Sequence, residues 1–295
     1  IVTSVSLSPD ERIIAWGSHD KTVRLWDTHT GENIRNLNGH ATIVSSVSFS
    51  PDGKYICSGS FDKTVRLWNV DTGECIRTFE GHTIWVNSVS FSPDGKYICS
   101  GSDDKTVRLW NVDTGENIRT LSGHTDYVRS VQFSLDGEYI CSGSWDKTVR
   151  LWNVDTGENI RTLNGHTRVV TSVSFSPDGK YICSGSNDDT VRLWNVDTGD
   201  LIRTLNGHTG YVKSVSFSPD GKYIWSGSRD KTVRVWLTDT GENIRTYTGP
   251  AYNVESVSFS VLGTYIVVGS SFSIMMLENP FPIFYNHKDA YKLGI

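Results

Sequence analysis

A unit of 42 residues recurs along the chain and constrains its fold more than any other sequence feature. One tryptophan per unit keeps this spacing, at Trp26, Trp68, Trp110, Trp152, Trp194 and Trp236. Seven periods of 42 make 294, one fewer than the 295 residues of the chain. A period of this length is typical of solenoids and propellers, in which each repeat is one structural unit. We therefore expect a single domain that spans residues 1–295.

Each unit is predicted to contain four short strands and no helix. In the second unit, the runs 44–50, 55–60, 64–69 and 75–80 alternate in polarity or are rich in β-branched and aromatic residues. Turn-forming residues, such as Pro-Asp-Gly-Lys at 51–54, separate the runs about every ten residues. Helical repeats would instead space their apolar residues by three and four. The pattern thus excludes helical arrays.

Four-stranded units leave edges and faces uncovered, and closing seven of them into a ring covers both. The predicted fold class is all-β, a seven-bladed β-propeller of four-stranded antiparallel blades. The first strand of a unit is placed beside the central axis, because Ser46, Ser48 and Ser50 are small enough for a crowded centre. The predicted blades span approximately 1–38, 39–80, 81–122, 123–164, 165–206, 207–248 and 249–295.

The repeated residues resemble those of the WD-repeat (tryptophan-aspartate repeat) β-propeller family over essentially the whole chain. The resemblance is carried by the run Ser-Gly-Ser-x-Asp-Lys-Thr-Val-Arg-Leu-Trp and by Gly-His pairs at 39–40, 81–82, 123–124, 165–166 and 207–208. At the repeated tryptophan position, the dipeptide that names the family is present only at Trp26-Asp27, and asparagine or leucine follows the other five tryptophans. The resemblance also supports placing the first strand at the axis.

A serine, a histidine and an aspartate recur in constant register in five units, as a hydrolase triad would require. Five copies would mean five active sites, whereas the resemblance implies a buried hydrogen-bond network. In that network the indole N–H meets the serine, the serine meets the imidazole, and the imidazole meets a carboxylate in a tight turn. We expect a structural role and no catalytic residue, because a satisfied buried network specifies one arrangement of the chain. The network residues are His40, Ser58, Asp62, Trp68, His82, Ser100, Asp104, Trp110, His124, Ser142, Asp146, Trp152, His166, Ser184, Asp188, Trp194, His208, Ser226, Asp230 and Trp236.

The first and the last units depart from this pattern. The first has Trp16 in place of the serine, and the chain begins after the position of its Gly-His pair. The seventh has Pro250, Val268, Phe272 and Glu278 at the four network positions. We therefore expect a divergent seventh blade, whose outer strand comes from residues near 283–295 and whose closure against the first blade is weaker than usual.

Four positions vary strongly between units: the residue before the network aspartate, two in the loop before the first strand, and one early in that strand. In an antiparallel meander they fall at one end of every blade, here called the top face. In the resembled family this end commonly supplies partner contacts. Aromatic and arginine side chains, which are enriched in interface hot spots, occur among them. The predicted partner-binding residues are Ile43, Phe61, Trp85, Asn87, Asp103, Tyr127, Arg129, Trp145, Asn187, Tyr211, Lys213 and Arg229.

These features predict a non-catalytic, monomeric scaffold that binds a protein or peptide through its top face. No cofactor or metal is expected, because metal-ligand spacings and a glycine-rich phosphate loop are lacking. One alternative is a sensory or regulatory repeat module of a larger signalling protein, such as the tail of an ATPase or kinase, since the chain starts inside a strand without methionine. The others are an enzyme with a central-channel site, a stable repeat product with little affinity for any partner, and simple drift of exposed loops.

Net charge and cysteine usage limit the classes of binding partner and the cellular compartment that we expect. A net charge of −5 and a pI near 5.9 argue against general binding to nucleic acid or an anionic membrane. No apolar run approaches the roughly 18–20 residues of a membrane-spanning helix. Four of the five cysteines, Cys57, Cys99, Cys141 and Cys183, occupy one repeated position and are interpreted as reduced core thiols. Reduced thiols favour a cytoplasmic location.

Overall fold

Seven antiparallel sheets form a ring in a computed structural model of the chain, which confirms the predicted seven-bladed propeller. The structure describes residues 1–248, 253–259, 263–270 and 274–278. Blades one to six each have four strands in meander order, and three strands of blade seven lie within the described residues. The outer strand predicted near 283–295 lies outside them. Within the described ranges, no helix is long and apolar enough to cross a membrane.

The 27 described strands follow the predicted pattern of four short runs per unit. Blades one to four consist of β1 (Val2–Leu7), β2 (Ile13–Ser18), β3 (Val23–Asp27), β4 (Asn33–Leu37), β5 (Val44–Phe49), β6 (Tyr55–Ser60), β7 (Val65–Asn69), β8 (Cys75–Phe79), β9 (Val86–Phe91), β10 (Tyr97–Ser102), β11 (Thr106–Asn111), β12 (Asn117–Ser122), β13 (Val128–Phe133), β14 (Tyr139–Ser144), β15 (Val149–Asn153) and β16 (Asn159–Leu163). Blades five to seven consist of β17 (Val170–Phe175), β18 (Tyr181–Ser186), β19 (Val191–Asn195), β20 (Leu201–Leu205), β21 (Val212–Phe217), β22 (Tyr223–Ser228), β23 (Thr232–Leu237), β24 (Asn243–Thr248), β25 (Val254–Phe259), β26 (Tyr265–Ser270) and β27 (Ile274–Glu278).

The first strand of each blade lies beside the first strands of its neighbours, around the central axis. Ser46 links two of these strands, because its hydroxyl accepts a hydrogen bond from the Val89 amide of the next blade at 3.1 Å. The sequence analysis predicted that Ser50 lies in this inner ring, but the structure places it elsewhere. Its hydroxyl donates to Asp52 at 2.7 Å and accepts from the Tyr55 amide at 2.9 Å, so it stabilises the turn at the far end of the strand.

The hydrophobic core is divided into seven clusters, one at each junction between neighbouring blades. At the junction of blades two and three, Cys57 and Phe79 of one blade pack against Val89 and Trp110 of the next. The ring is closed by packing of the same kind, with Val267 of blade seven against β1 and β2. Each blade therefore buries its two faces only with the help of both neighbours.

A second set of inter-blade contacts lies at the bottom face, the end opposite the top face. Arg35 of the outer strand β4 donates to the carbonyls of Asp71 and Thr72, at 2.8 and 2.6 Å, in a turn of the next blade. Arg77 repeats this contact one blade further on, with the carbonyls of Asp113 and Thr114. These bonds hold the backbone of the Asp-Thr-Gly turns against the neighbouring blade.

The four repeated cysteines are fully buried and free, and each lies in an inter-blade core cluster. Burial raises the pKa of the Cys57 and Cys141 thiols well above its usual range. They are therefore neutral packing groups at physiological pH. The fifth, Cys75, is free and exposed on β8.

We predict that Gly143→Ala destabilises the ring, because an added Cβ would lie 2.7 Å from Val170 and 3.0 Å from Val173 of the next blade. Overpacking of this kind costs about 1–3 kcal/mol of unfolding free energy. Urea unfolding monitored by tryptophan fluorescence measures the change. Glu158→Ala, on an exposed turn of the same blade, is the control and should unfold like the wild type. Equal midpoints for both variants would show that the blades do not pack this closely.

Candidate functional site

The predicted network residues meet through hydrogen bonds in blades two to six. In blade two, the His40 Nε2 atom lies 2.7 Å from the Ser58 hydroxyl and the Nδ1 atom lies 2.8 Å from the Asp62 carboxylate. The Trp68 indole N–H donates to the same hydroxyl at 2.8 Å. Blades three to six repeat all three contacts at 2.7 or 2.8 Å.

The donors in the network follow from the chemistry of its members. A carboxylate only accepts, so the Nδ1 atom of His40 carries the proton and donates to Asp62. The Ser58 hydroxyl accepts from the indole and donates its own proton to the Nε2 atom. A serine protease uses the same serine–histidine–aspartate order. Here, however, Ser58 is fully buried beneath the indole, so a substrate has no access to its hydroxyl.

Burial and hydrogen bonding shift the titration of the network in blade four. Burial lowers the pKa of His124 from its ordinary value, although the Asp146 carboxylate opposes this shift. Burial would raise the pKa of Asp146, but hydrogen bonds from His124 and Thr148 outweigh it and hold that pKa well below its usual range. The folded network therefore prefers a neutral imidazole beside an ionised carboxylate.

The network is incomplete in blade one, as the sequence predicts. Trp16 occupies the position of the serine and stacks on Trp26, with ring centroids 5.1 Å apart. The Trp26 indole N–H is buried and has no hydrogen-bond partner within the described residues. In blade seven, Val268 is fully buried at the serine position, and Glu278 ends β27. Pro250 and Phe272 lie outside the described residues.

The network holds the backbone from which the variable residues project. The Asp62 carboxylate also accepts from the Ala41 amide at 2.9 Å, which fixes the loop between blades. Ile43 follows in that loop, and Phe61 directly precedes Asp62 in the opposing turn. The Phe61 amide donates to the Ile43 carbonyl at 3.0 Å, and blades one and three to six have the equivalent bond. Loop and turn thus lie side by side at the top face in each of these blades.

A β-bulge at the start of every inner strand turns one more variable residue towards the axis. The pairing register shifts between Val44 and Ser46, so Ser45 has no opposite residue, and the other six blades show the same irregularity. A bulge re-aims the side chain of its extra residue. The seven residues, here called the bulge ring, are Thr3, Ser45, Asn87, Arg129, Thr171, Lys213 and Glu255.

A cavity of about 510 Å³ opens at the top face over the bulge ring. All seven members of the ring line this cavity, together with residues of the loops and turns around its mouth. Nine of the twelve predicted partner-binding residues are among the lining residues: Ile43, Phe61, Asn87, Arg129, Trp145, Asn187, Tyr211, Lys213 and Arg229.

Trp85 and Tyr127 lie outside the cavity, on the surrounding rim. Trp85 stacks on Phe61 with ring centroids 4.4 Å apart and planes 9° from parallel, and 46% of its surface is exposed. Tyr127 packs against Trp145 with centroids 5.1 Å apart. Both rim residues therefore extend the aromatic wall of the cavity outwards to solvent.

Asp103 is the predicted contact residue whose placement differs most from the prediction. Its side chain is only 6% exposed, because Asn87 donates to it at 2.6 Å and Arg129 lies 3.5 Å away. Arg129 also donates to the Asn87 amide oxygen and lies over the Trp145 ring. Asp103 thus positions its neighbours instead of presenting a surface to a partner.

The charged residues on the other side of the cavity are less well paired. The Lys213 ammonium lies 3.9 Å from the Glu255 carboxylate, close to the limit of an ion pair. Burial lowers the pKa of Lys213, and the nearby Arg229 and Arg129 guanidinium groups add to this effect while Glu255 opposes it. Arg229 lies over the Tyr211 ring at 5.5 Å.

The sequence analysis recognised that the bulge-ring position varies between units at the top face, but it did not identify the bulge that turns these residues towards the axis. A regular strand would point residues three apart to opposite faces. Val44 and Val47 are nevertheless both buried, which indicates the bulge between them. The same analysis did not select Thr3, Ser45, Thr171 or Glu255 as contact residues. Within the residues that the structure describes, no group of three or more His, Cys, Asp or Glu side chains is arranged to hold a metal ion.

Two family models match the chain. The model described as WD domain, G-beta repeat, matches residues 1–27, 31–69, 199–236 and 241–276. The model described as IFT122 first beta-propeller matches residues 88–198, between those two groups of repeats. A comparison with curated proteins found no match.

We predict that His124→Ala destabilises the fold, because the Ser142 hydroxyl loses the acceptor of its proton and the Asp146 carboxylate loses the imidazole donor. The expected loss of unfolding free energy is about 1–3 kcal/mol. Thermal and urea unfolding measure it. His29→Ala removes an exposed histidine outside the network and serves as the matched control. An unchanged midpoint for His124→Ala would contradict the structural role.

Acid should destabilise the folded chain in two stages. His124 and His208 have lowered pKa values in the fold, so below about pH 6.5 the unfolded chain binds their protons first. Asp146 has a lowered pKa, so its contribution is lost below about pH 4. The urea midpoint is expected to fall between pH 7 and 5 and again below 4. In His124→Asn the first decline should be shallower, and a midpoint that rises from pH 7 to 5 would refute this assignment.

Proposed function

The chain belongs to the WD-repeat family of β-propellers, and we propose that it is a non-catalytic scaffold that binds a protein or peptide partner through its top face. WD-repeat propellers are generally interaction scaffolds, which supports this assignment. The five Ser-His-Asp sets do not support an enzyme, because each serine is fully buried.

The convergence of the variable residues on one cavity carries the proposal. Phe61, Trp145 and Arg229 come from blades two, four and six, which are distant in the sequence, and all three line the same cavity. The residues of the network, which repeat without change in blades two to six, lie directly beside them in the chain. The network residues are thus constant in blades two to six, while the residues directly beside them in the chain differ. This is expected when one scaffold presents a specific surface.

The composition of this surface favours binding over simple drift of exposed residues. Trp85 and Trp145 are 46% and 39% exposed, although tryptophan is costly to leave in water. Arg129 and Arg229 lie over aromatic rings of the same face. Tryptophan, tyrosine and arginine are the residue types that most often carry binding energy at protein interfaces.

A cytoplasmic location and a monomeric state are part of the same proposal. The five cysteines are free, including the exposed Cys75, and this is compatible with a reducing compartment.

The proposal predicts that replacing Trp85, Tyr127, Trp145 and Arg229 together with alanine abolishes partner capture. Immobilised wild-type chain and the variant are incubated with native lysate, and bound proteins are quantified by mass spectrometry. Leu135→Ala is the control, because Leu135 is 50% exposed in a turn of the bottom face. The wild type and the control should retain the same specific proteins. Equal capture by the fourfold variant, with an unchanged melting temperature, would exclude the top face as the binding surface.

A further inference from the structure

The members of the bulge ring fall into two groups with different tasks. Four of them are short, polar residues that donate to a main-chain carbonyl of the next blade at 2.5–2.8 Å: Thr3, Ser45, Asn87 and Thr171. These four side chains hold the inner ring together. The remaining three are the charged residues Arg129, Lys213 and Glu255, which make no such bond among the described residues. The charge of Arg129 is engaged by Asp103, whereas Lys213 and Glu255 are only loosely paired with each other.

The charges in and beside the cavity do not cancel. Arg129, Lys213 and Arg229 are three cations, and Glu255 and Asp103 are two anions, so the formal sum is one positive charge. This excess lies in a chain whose net charge is −5. Asp103 is already engaged by Arg129, whereas Lys213 has only the distant Glu255. Within the described residues, no carboxylate lies within ion-pair distance of Arg229.

Lys213 is the cation in the least favourable position. Its side chain is only 21% exposed, and both arginines repel it, which lowers its pKa together with burial. An anion placed between Lys213 and Arg229 would relieve this repulsion and would be attracted in an environment partly shielded from water. The cavity thus carries a preorganised preference for negative charge.

The aromatic pair Phe61–Trp85 lies across the ring from these cations. Lys213 and Arg229 belong to blade six, whereas Phe61 and Trp85 belong to blades two and three, which are each three steps away on a ring of seven. A chain segment that crosses the mouth of the cavity can therefore touch both. The exposed face of Trp85 offers an apolar contact there.

We propose that the cavity receives one aspartate or glutamate side chain from an extended segment of the partner. Its carboxylate lies between Lys213 and Arg229, and an apolar residue of the same segment packs on Phe61 and Trp85. Arg129 acts as a positioning residue, since Asp103 and Asn87 already bind it. The inference rests on the proposed function, whose top-face binding it makes specific. One carboxylate matches the single excess positive charge, whereas a phosphate dianion would leave the cavity with a net negative charge.

A random-peptide phage library, selected on the full wild-type chain, provides the probe. Enriched sequences are expected to contain an acidic residue and, separated from it by several intervening residues, an apolar one. The best peptide is then synthesised in three forms, with the acidic residue kept, changed to its amide, or changed to phosphoserine. Fluorescence anisotropy with the wild type should show about ten- to hundredfold weaker binding for the amide form, as expected for a charge-assisted hydrogen bond.

Variants of the chain localise the effect. Lys213→Met and Arg229→Gln should each weaken the acidic peptide by about tenfold or more and leave the amide peptide almost unchanged. Leu135→Ala should bind like the wild type. If a variant does not fold, a salt titration of the wild type replaces it, because only the acidic peptide should lose affinity as salt rises.

The outcomes separate this inference from the proposed function. Peptides that need Trp85 and Trp145 but contain no acidic residue would overturn the carboxylate site and leave the scaffold proposal intact. Selected peptides that bind the fourfold top-face variant as well as the wild type would overturn both. A phosphoserine form that binds more tightly than the carboxylate form would replace this inference with a phosphopeptide site.

Discussion

The hydrogen-bond network of histidine, serine, aspartate and tryptophan is the interaction on which the rest of the structure depends. In blade two it joins the loop that arrives from blade one to the second and third strands, through His40, Ser58, Asp62 and Trp68. All of its polar atoms are satisfied, so its geometry is specified closely. The loop between blades and the turn before the aspartate carry the variable residues, and both are attached directly to the network. The positions of the top-face residues are therefore closely specified as well.

The same network recurs in blades two to six, but the residues at the top face differ from blade to blade. Each blade packs on two neighbours through a core cluster, and the clusters are nearly identical from blade two to blade six. Because the strands align the same position of every blade around the axis, a change in one unit adds a different side chain to a common cavity. Seven slightly different copies thus create an asymmetric surface, with the Phe61–Trp85 pair on one side and Lys213 on the other.

Most of the fold follows from the sequence because the period, the turns and the network residues repeat. The positions of Phe61, Trp145 and Arg229 at one end follow from the same register. Three features did not follow. Asp103 shares a varying position but is buried, because Asn87 and Arg129 happen to reach it. Ser50 alternates with Ser46 yet stabilises a turn. The bulge that aims Lys213 into the cavity interrupts the strand period by one residue, which a reading based on regular alternation misses.

Hydrogen–deuterium exchange of the chain, alone and with a captured partner, tests most directly the claim that this constant framework presents one binding surface. The account predicts slower exchange in the top-face loops near 41–44, 83–86, 125–128 and 209–212 when the partner is bound. Exchange in the bottom turns near 51–54, 93–96, 135–138 and 219–222 should stay the same. Protection confined to the bottom turns or to the outer strands would contradict the account.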